Sequence, residues 1–261
     1  LSRIIFSLYS EDINECLSSS EYKRNQFKKY KSHLEKAHRD YAKLCNASYK
    51  LYNIIVKDYD EIQFLKIKML EELSEIYDEV LYLDFDVVPQ TDKNYFEFFD
   101  MNKISGYLMN RSPLYMQILK WKVNENLWDR MNVYAKGCAK RSMLMLHNMS
   151  GDDTVINTGV LGGNREAIRN LSFTKRLPEA YKCFEEACKD NLYPDEISKC
   201  WKPNNEVFIT YMIEKYNVPF TDICMPWNFM LDDYSPKGGE SSHFLHHIRK
   251  EFEISFGEIN A

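Results

Sequence analysis

Residues 80–89 read Val-Leu-Tyr-Leu-Asp-Phe-Asp-Val-Val-Pro, an apolar run that ends in two carboxylates one residue apart. On an extended backbone residues i and i+2 project to the same side, so Asp84 and Asp86 can converge on a single cation. Acids closing so apolar a segment call for something positive to neutralise them. A hydrated divalent ion held against a diphosphate leaving group is the chemistry such a pair serves. The plainer reading is an Asp that caps the turn after a strand. The position of the pair, behind Val-Leu-Tyr-Leu and ahead of Val-Val-Pro, favours the metal.

Three further groups carry chemistry. In Val155-Ile-Asn157-Thr158-Gly159-Val160-Leu-Gly-Gly163 a polar Asn-Thr-Gly interrupts strand-like sequence. Glycine weakens a strand and marks a bulge or a close approach, and the Asn157 amide can both donate to and accept from a sugar hydroxyl; Thr158 and Gly159 share that position. In His243-Phe-Leu-His246-His247, three of the six histidines fall within five residues. An imidazole completes an Asp-rich site for Mn²⁺, with Mg²⁺ as the alternative, and His243 and His246 compete for the role. Arg249 and Lys250 follow directly and suit a phosphate. Finally, Asn204-Asn205-Glu206 opens a helix, where acid complements the macrodipole; Glu206 is either part of that cap or a carboxylate that orients or deprotonates an acceptor hydroxyl. Lys66 is a cation for the diphosphate or an ordinary exposed lysine.

The elements that must position these residues follow from periodicity. Arg3–Tyr9 reads as a strand, followed by a polar loop through Asn14. Phe27, Tyr30, Leu34, Ala37, Tyr41 and Leu44 form a helical stripe of about six turns. Residues 48–56 read as a second strand. Ile62, Leu65, Met69, Leu73 and Ile76 mark a second helix leading into the strand 80–83. Alternation of this kind predicts a parallel sheet covered by helices, with ligands at the carboxyl ends of its strands, where Asp84 and Asp86 lie. Beyond Pro89, Ser112-Pro113 opens a predicted helix, 154–163 a strand, 178–190 and 205–216 helices, and residues 238–250 a loop entering a short strand. No linker splits the chain, which reads as one domain of 261 residues, with a nucleotide-binding half to residue 90 and an acceptor-binding half from 91.

Composition sets the class. An apolar content of 44% and a charged content of 28% are those of an ordinary globular protein. The net charge of −5 argues against general nucleic-acid binding. Residues 23–43 are nonetheless basic, as a phosphate-attracting face, an anionic-membrane contact or the solvated side of a helix. Seven scattered cysteines without zinc spacing predict reduced thiols. They favour the cytosol, with the Golgi lumen the alternative if an upstream anchor has been removed. No apolar run is long enough to be an integral membrane segment. Trp121, Trp128, Trp201 and Trp227 are candidate stacking platforms for an acceptor.

Taken together, these residues resemble the GT-A class of nucleotide-sugar glycosyltransferases. Asp84-Phe85-Asp86 matches the metal motif of that class. Asn157-Thr-Gly-Val-Leu looks like the Asn-x-Gly-Val segment of the family 8 enzymes, and His243 or His246 the closing metal-ligand histidine. The family 8 ending His-x-x-Gly-x-x-Lys-Pro-Trp is absent, replaced by Arg249-Lys250-Glu251-Phe252, and its Asp-Gln-Asp segment survives only as Asn204-Asn205-Glu206. The resemblance implies a GT-A fold, with a mixed central sheet flanked by helices and a Rossmann-like N-terminal half. It further implies transfer from a nucleoside-diphosphate sugar (UDP or GDP) to a hydroxyl of a glycan or glycoconjugate. Tyr9 would border the base, Asp84 the ribose and metal, Phe85 the donor, Asp86 the metal, and Asn157, Thr158, Gly159 and Trp227 the sugar or acceptor. An inverting enzyme needs a base opposite the leaving group, for which Glu206 is the candidate; a retaining one needs none so placed.

Two other classes stay open on the residues. A nucleotidyltransferase acting on sugar phosphates shares paired acids and α/β organisation, but Ser7-Leu-Tyr9-Ser10-Glu-Asp lacks the expected Gly-rich phosphate loop. A non-catalytic sugar- or nucleotide-binding module with a structural cation would bind the donor and never hydrolyse it.

Overall fold

The computed structural model describes residues 1–10, 21–55, 59–110, 127–231, 241–248 and 250–259. The polar loop expected through Asn14, the helix expected from Ser112, and Arg249 lie outside them; of the side chain of Trp128 nothing is described.

The β-α-β-α-β reading of the first ninety residues holds. Strand β1 (Arg3–Tyr9) pairs in parallel with both β2 (Ser48–Asn53) and β3 (Glu79–Leu83). Helices Glu21–Leu44 and Tyr59–Ser74 form the crossovers. Strand β4 (Val87–Pro89) follows the Asp pair. Beyond it come β5 (Ile104–Asn110), β6 (Thr154–Asn164) and β7 (Phe220–Asp222). The main sheet runs β2-β1-β3-β6-β5-β7, with β6 antiparallel to both β3 and β5, so the sheet is mixed. A second sheet, β4-β9-β8, joins β8 (Phe229–Leu231) and β9 (Phe244–His247) to β4.

The near-continuous apolar sequence of β1 and β3 has a direct cause: both faces of the sheet are covered. Ile4, Phe6, Leu8, Val80 and Tyr82 face one core, packed with helices Tyr59–Ser74, Arg165–Leu171, Phe173–Lys189 and Asn205–Lys215. Ile5, Leu81 and Leu83 face the other, with Tyr41, Tyr95, Val87, Trp227 and Phe244.

Some faces differ from the sequence reading. On helix Glu21–Leu44 the buried stripe is Gln26, Tyr30, Leu34, His38, Tyr41 and Ala42, while Leu44 is exposed. On the next helix Phe64, Lys66, Ile67, Leu70, Leu73 and Ser74 are buried; of the expected stripe Leu73 is in the core, Ile62, Leu65 and Met69 are half-buried against it, and Ile76 lies beyond the helix end and exposed. The basic run is mostly a solvated face, with Lys36–Asp40 and Arg39–Glu35 paired one turn apart. The six cysteines among the described residues are free thiols. Among the described residues, no helix is long and apolar enough to cross a membrane.

Phe208 shows how the helical layer is held. It is fully buried, and its ring lies 4.9 Å from that of Tyr181 and 5.7 Å from those of Phe64 and Phe184. Phe208→Ala should lower the stability measured by urea unfolding by about 3–5 kcal/mol; a loss far below that would mean that the two neighbouring helices close the gap.

Candidate metal centre at the carboxyl end of strand β3

Asp84 leaves β3 and Asp86 enters β4, and the segment between them is a tight turn rather than extended backbone. The Val87 N–H donates to the Asp84 carbonyl at 2.9 Å and closes that turn. The two carboxylates nevertheless point to one place. Phe85 goes the opposite way: it is buried against Tyr9 (5.3 Å), stacked on Phe27 (6.1 Å) and met edge-on by His38 (5.8 Å). It therefore pins the turn to the core and does not face a donor, a correction of the expected donor role that its burial in this aromatic cluster explains.

Each acid has its own cation. Asp84 Oδ1 accepts from Lys66 Nζ at 3.3 Å and from the Tyr82 hydroxyl at 2.5 Å. Lys66 is only 3% exposed, so it is not a surface lysine; its ammonium also lies over the Tyr82 ring. Asp86 Oδ2 is paired with Lys250 Nζ. Burial alone would raise the Asp86 carboxyl, but Lys250 and His246 beside it hold it well below the usual carboxylate range. Lys250, three residues past the end of β9, has a left-handed backbone (φ 63°), which a residue other than glycine rarely adopts.

His246 is the histidine that completes the group. Val87 pairs with His246 across β4 and β9, and the His247 N–H donates to the Asp86 carbonyl at 2.9 Å, so the strand is fastened beside the aspartates. His246 Nε2 lies 3.5 Å from Asp86 Oδ1 and 3.7 Å from Asp84 Oδ2. One ligand atom from each of the three residues lies within 4.8 Å of the others. Two carboxylate oxygens and an imidazole nitrogen form an O,O,N donor set that could hold a divalent cation. His243 is turned away: its ring lies tilted against Trp227 (4.4 Å), and its Nδ1 is 3.0 Å from Thr91 Oγ1. It lies outside the group formed by Asp84, Asp86 and His246.

Strand β6 supplies the neighbouring wall. Its register against β5 jumps from Gly106↔Leu161 to Tyr107↔Asn157, so the Asn-Thr-Gly segment is a bulge. The bulge is what aims it at the site: the Gly159 carbonyl accepts from the Asp84 N–H at 2.8 Å. Glycine is required there, since a Cβ would lie 2.5 Å from His246 Cε1. Asn157 Oδ1 accepts from the Gly159 N–H (3.0 Å) and from Asn228 Nδ2 (2.8 Å), and its Nδ2 donates to Glu206 Oε1 at 3.1 Å. Thr158 faces away, accepting from Asn205 Nδ2 at 2.7 Å.

Glu206 is buried in the first turn of its helix, but Asn204 provides the cap, accepting from the Glu206 N–H at 2.9 Å. The Glu206 carboxylate instead meets Lys136 Nζ at 2.5 Å. With one oxygen on Lys136 and the other on Asn157, it is engaged as a structural anion more than as a free base. Two further expectations change. Trp227 is 3% exposed, enclosed by Tyr95, Phe99, Phe244 and His243, and Trp201 packs on Tyr193; neither ring is open to a sugar. Tyr9 is likewise buried, between Phe27 and Phe85 with Lys31 over its ring. Lys136, Asn228, Tyr82 and His38 were not singled out by the sequence; an isolated polar group gives no signal of what it will meet.

The fold matches solved glycosyltransferases. A glycosyltransferase involved in glycosylating the major capsid of PBCV-1 superposes with a TM-score of 0.50 at 12% identity, covering 96% of this chain and 98% of that one. Mouse xyloside xylosyltransferase 1, in its apo form, does so with a TM-score of 0.50 at 12% identity, over 95% and 98%. The chain has the GT-A fold. No family model and no curated protein matches the sequence.

Behind the turn, buried His38 donates through Nε2 to the Val87 carbonyl at 2.5 Å and accepts through Nδ1 from Ser7 Oγ at 3.0 Å. Burial pushes it down to about 4, and pushes His247 down to about 4 as well, from the ordinary 6.5. Between pH 6.5 and 4 the unfolded chain therefore binds protons that the folded one does not. Stability should fall as pH drops through that window, by up to about 1.4 kcal/mol per pH unit for each histidine. His38→Gln keeps a donor towards Val87 and cannot titrate, so urea unfolding across the window should show a shallower slope; an unchanged slope would refute the assignment.

Proposed function

We propose that the chain is a metal-dependent glycosyltransferase that moves a sugar from a nucleoside-diphosphate sugar to a hydroxyl of a glycan or glycoconjugate. The observation that carries this reading is the convergence of Asp84, Asp86 and His246 at the carboxyl end of β3, in a GT-A fold. Ligands of α/β sheets bind at that end. The carboxylates and Nε2 would hold the ion, for which Mn²⁺ is the choice and Mg²⁺ the alternative. When bound, it supplies Lewis-acid stabilisation of the negative charge on the departing diphosphate.

The protein's own groups do the rest. Each acid is matched to one lysine, so the cluster carries little net charge by itself. Adding a divalent ion makes it positive, which attracts a diphosphate, and the ammonium groups of Lys250 and Lys66 then find phosphate oxygens as alternative partners. Asn157 stands beside the cluster and orients the sugar. Glu206 holds Asn157 in place and, in this reading, positions rather than deprotonates. The transferred sugar passes through an oxocarbenium-like state, so leaving-group stabilisation and acceptor alignment are the main tasks.

Variants test the roles separately. Asp86→Ala should abolish Mn²⁺-dependent nucleotide binding with the circular dichroism spectrum retained; unchanged affinity would remove the proposal. His246→Ala should weaken Mn²⁺ binding by at least the roughly 10–100-fold typical of losing even an outer-shell partner, with His243→Ala close to wild type. The reverse ranking would make His243 the ligand. Glu206→Gln should reduce transfer or donor hydrolysis while sparing donor binding. Donor binding with no hydrolysis under any condition would point to a binding module.

A further inference from the structure

A histidine that serves a cation must present a lone pair to it, and the position of its proton is set by the bond its other nitrogen makes. His246 directs Nε2 at the two aspartates and Nδ1 at Asn228 Oδ1, 3.0 Å away. The direction of that second bond can be worked out from a fixed end. Glu206, paired with Lys136, is a carboxylate and only accepts. Asn157 therefore gives it Nδ2, at 3.1 Å, and turns Oδ1 the other way. The Gly159 backbone N–H, a donor by nature, meets the same Oδ1 at 3.0 Å and fixes the amide a second time.

Asn228 then has no choice. It donates Nδ2 to Asn157 Oδ1 at 2.8 Å, which leaves its own Oδ1 facing His246. A carbonyl oxygen only accepts, so Nδ1 carries a proton, and in the neutral ring that a cation needs Nε2 keeps its lone pair. Reversing both amides would set Asn157 Oδ1 against the Glu206 carboxylate and leave the Gly159 N–H facing an NH₂ group. Asn157, Asn228 and His246 are 8%, 0% and 4% exposed, so solvent does not compete for these bonds. Isolated imidazole side chains prefer the opposite tautomer, with the proton on Nε2; the chain of amides works against that preference.

We infer that Asn228 is a positioning residue that locks His246 in its Nδ1–H tautomer and, through Asn157, ties that ligand to the Glu206–Lys136 pair. The inference rests on Asp84, Asp86 and His246 forming the cation centre. It gives Asn228 a task that burial alone does not: the last acceptor in a series whose direction starts at a carboxylate and ends at the nitrogen opposite the metal face.

The test uses ¹⁵N-imidazole NMR of the metal-free full chain at a pH where the ring is neutral, with His246→Gln to assign the signal. Mn²⁺ affinity is measured in parallel by electron paramagnetic resonance. The wild type should show Nδ1–H. Asn228→Leu should shift His246 to Nε2–H and weaken Mn²⁺ by about 10–100-fold. Asn228→Asp, which still accepts from Nδ1–H, should restore both the tautomer and most of the affinity. An Nε2–H tautomer in the wild type overturns the inference, and does so even if Asn228→Leu fails to fold. A folded Asn228→Leu with wild-type affinity also overturns it. A wild type that leaves Mn²⁺ free overturns the cation centre beneath it, and the separate tautomer readout tells the two failures apart.

Discussion

Two carboxylates at the end of a buried strand, Asp86 buried and Asp84 half-buried, repel each other, and their neighbours are arranged around meeting that repulsion. Asp84 is matched by Lys66 and by the Tyr82 hydroxyl, Asp86 by Lys250. These partners come from three elements: a crossover helix, strand β3 itself and the segment that follows β9. The site is therefore a product of tertiary closure. It forms only when β9 has paired with β4 and brought both His246 and Lys250 to the turn.

The same closure explains why the backbone around the site is irregular. A regular β6 would continue its ladder with β5 past Gly106 and keep Asn157 in register; the bulge lifts Asn157 to Gly159 out of it. The gain is a carbonyl for the Asp84 N–H, a glycine against which the His246 ring can lie, and an amide in contact with both Asn228 and Glu206. Behind the turn, Phe85 and His38 tie its other side to β1 and the first helix. Rigid support on both sides is what a constellation of charged groups needs to hold geometry without water.

Much of this was legible in the sequence where one residue type has one physical use. Continuous apolar runs gave β1 and β3, and the acids after β3 stood out because burial penalises them. Asn-Thr-Gly inside a strand signalled the bulge, and the histidine cluster signalled β9. Reading failed where the outcome depends on partners distant in sequence. Lys66 looked like a surface lysine because nothing near it predicts Asp84. Phe85, Tyr9 and Trp227 carried apparent binding roles, yet aromatic rings serve cores as readily as clefts, and here the cores took them. Asn228 lies in an unremarkable stretch, Trp-Asn-Phe, and acquires meaning only from the direction of three hydrogen bonds.

The central claim is that Asp84, Asp86 and His246 hold one divalent ion that engages a diphosphate. Anomalous diffraction from crystals grown with Mn²⁺ and a nucleoside diphosphate tests it most directly. The account predicts a single manganese peak bonded to Asp86 and His246 Nε2, close to Asp84, with phosphate oxygens completing its shell and the Lys250 ammonium moved from Asp86 towards the phosphates. A manganese peak elsewhere, or nucleotide bound with Lys250 still on Asp86 and no metal between the acids and His246, would contradict it.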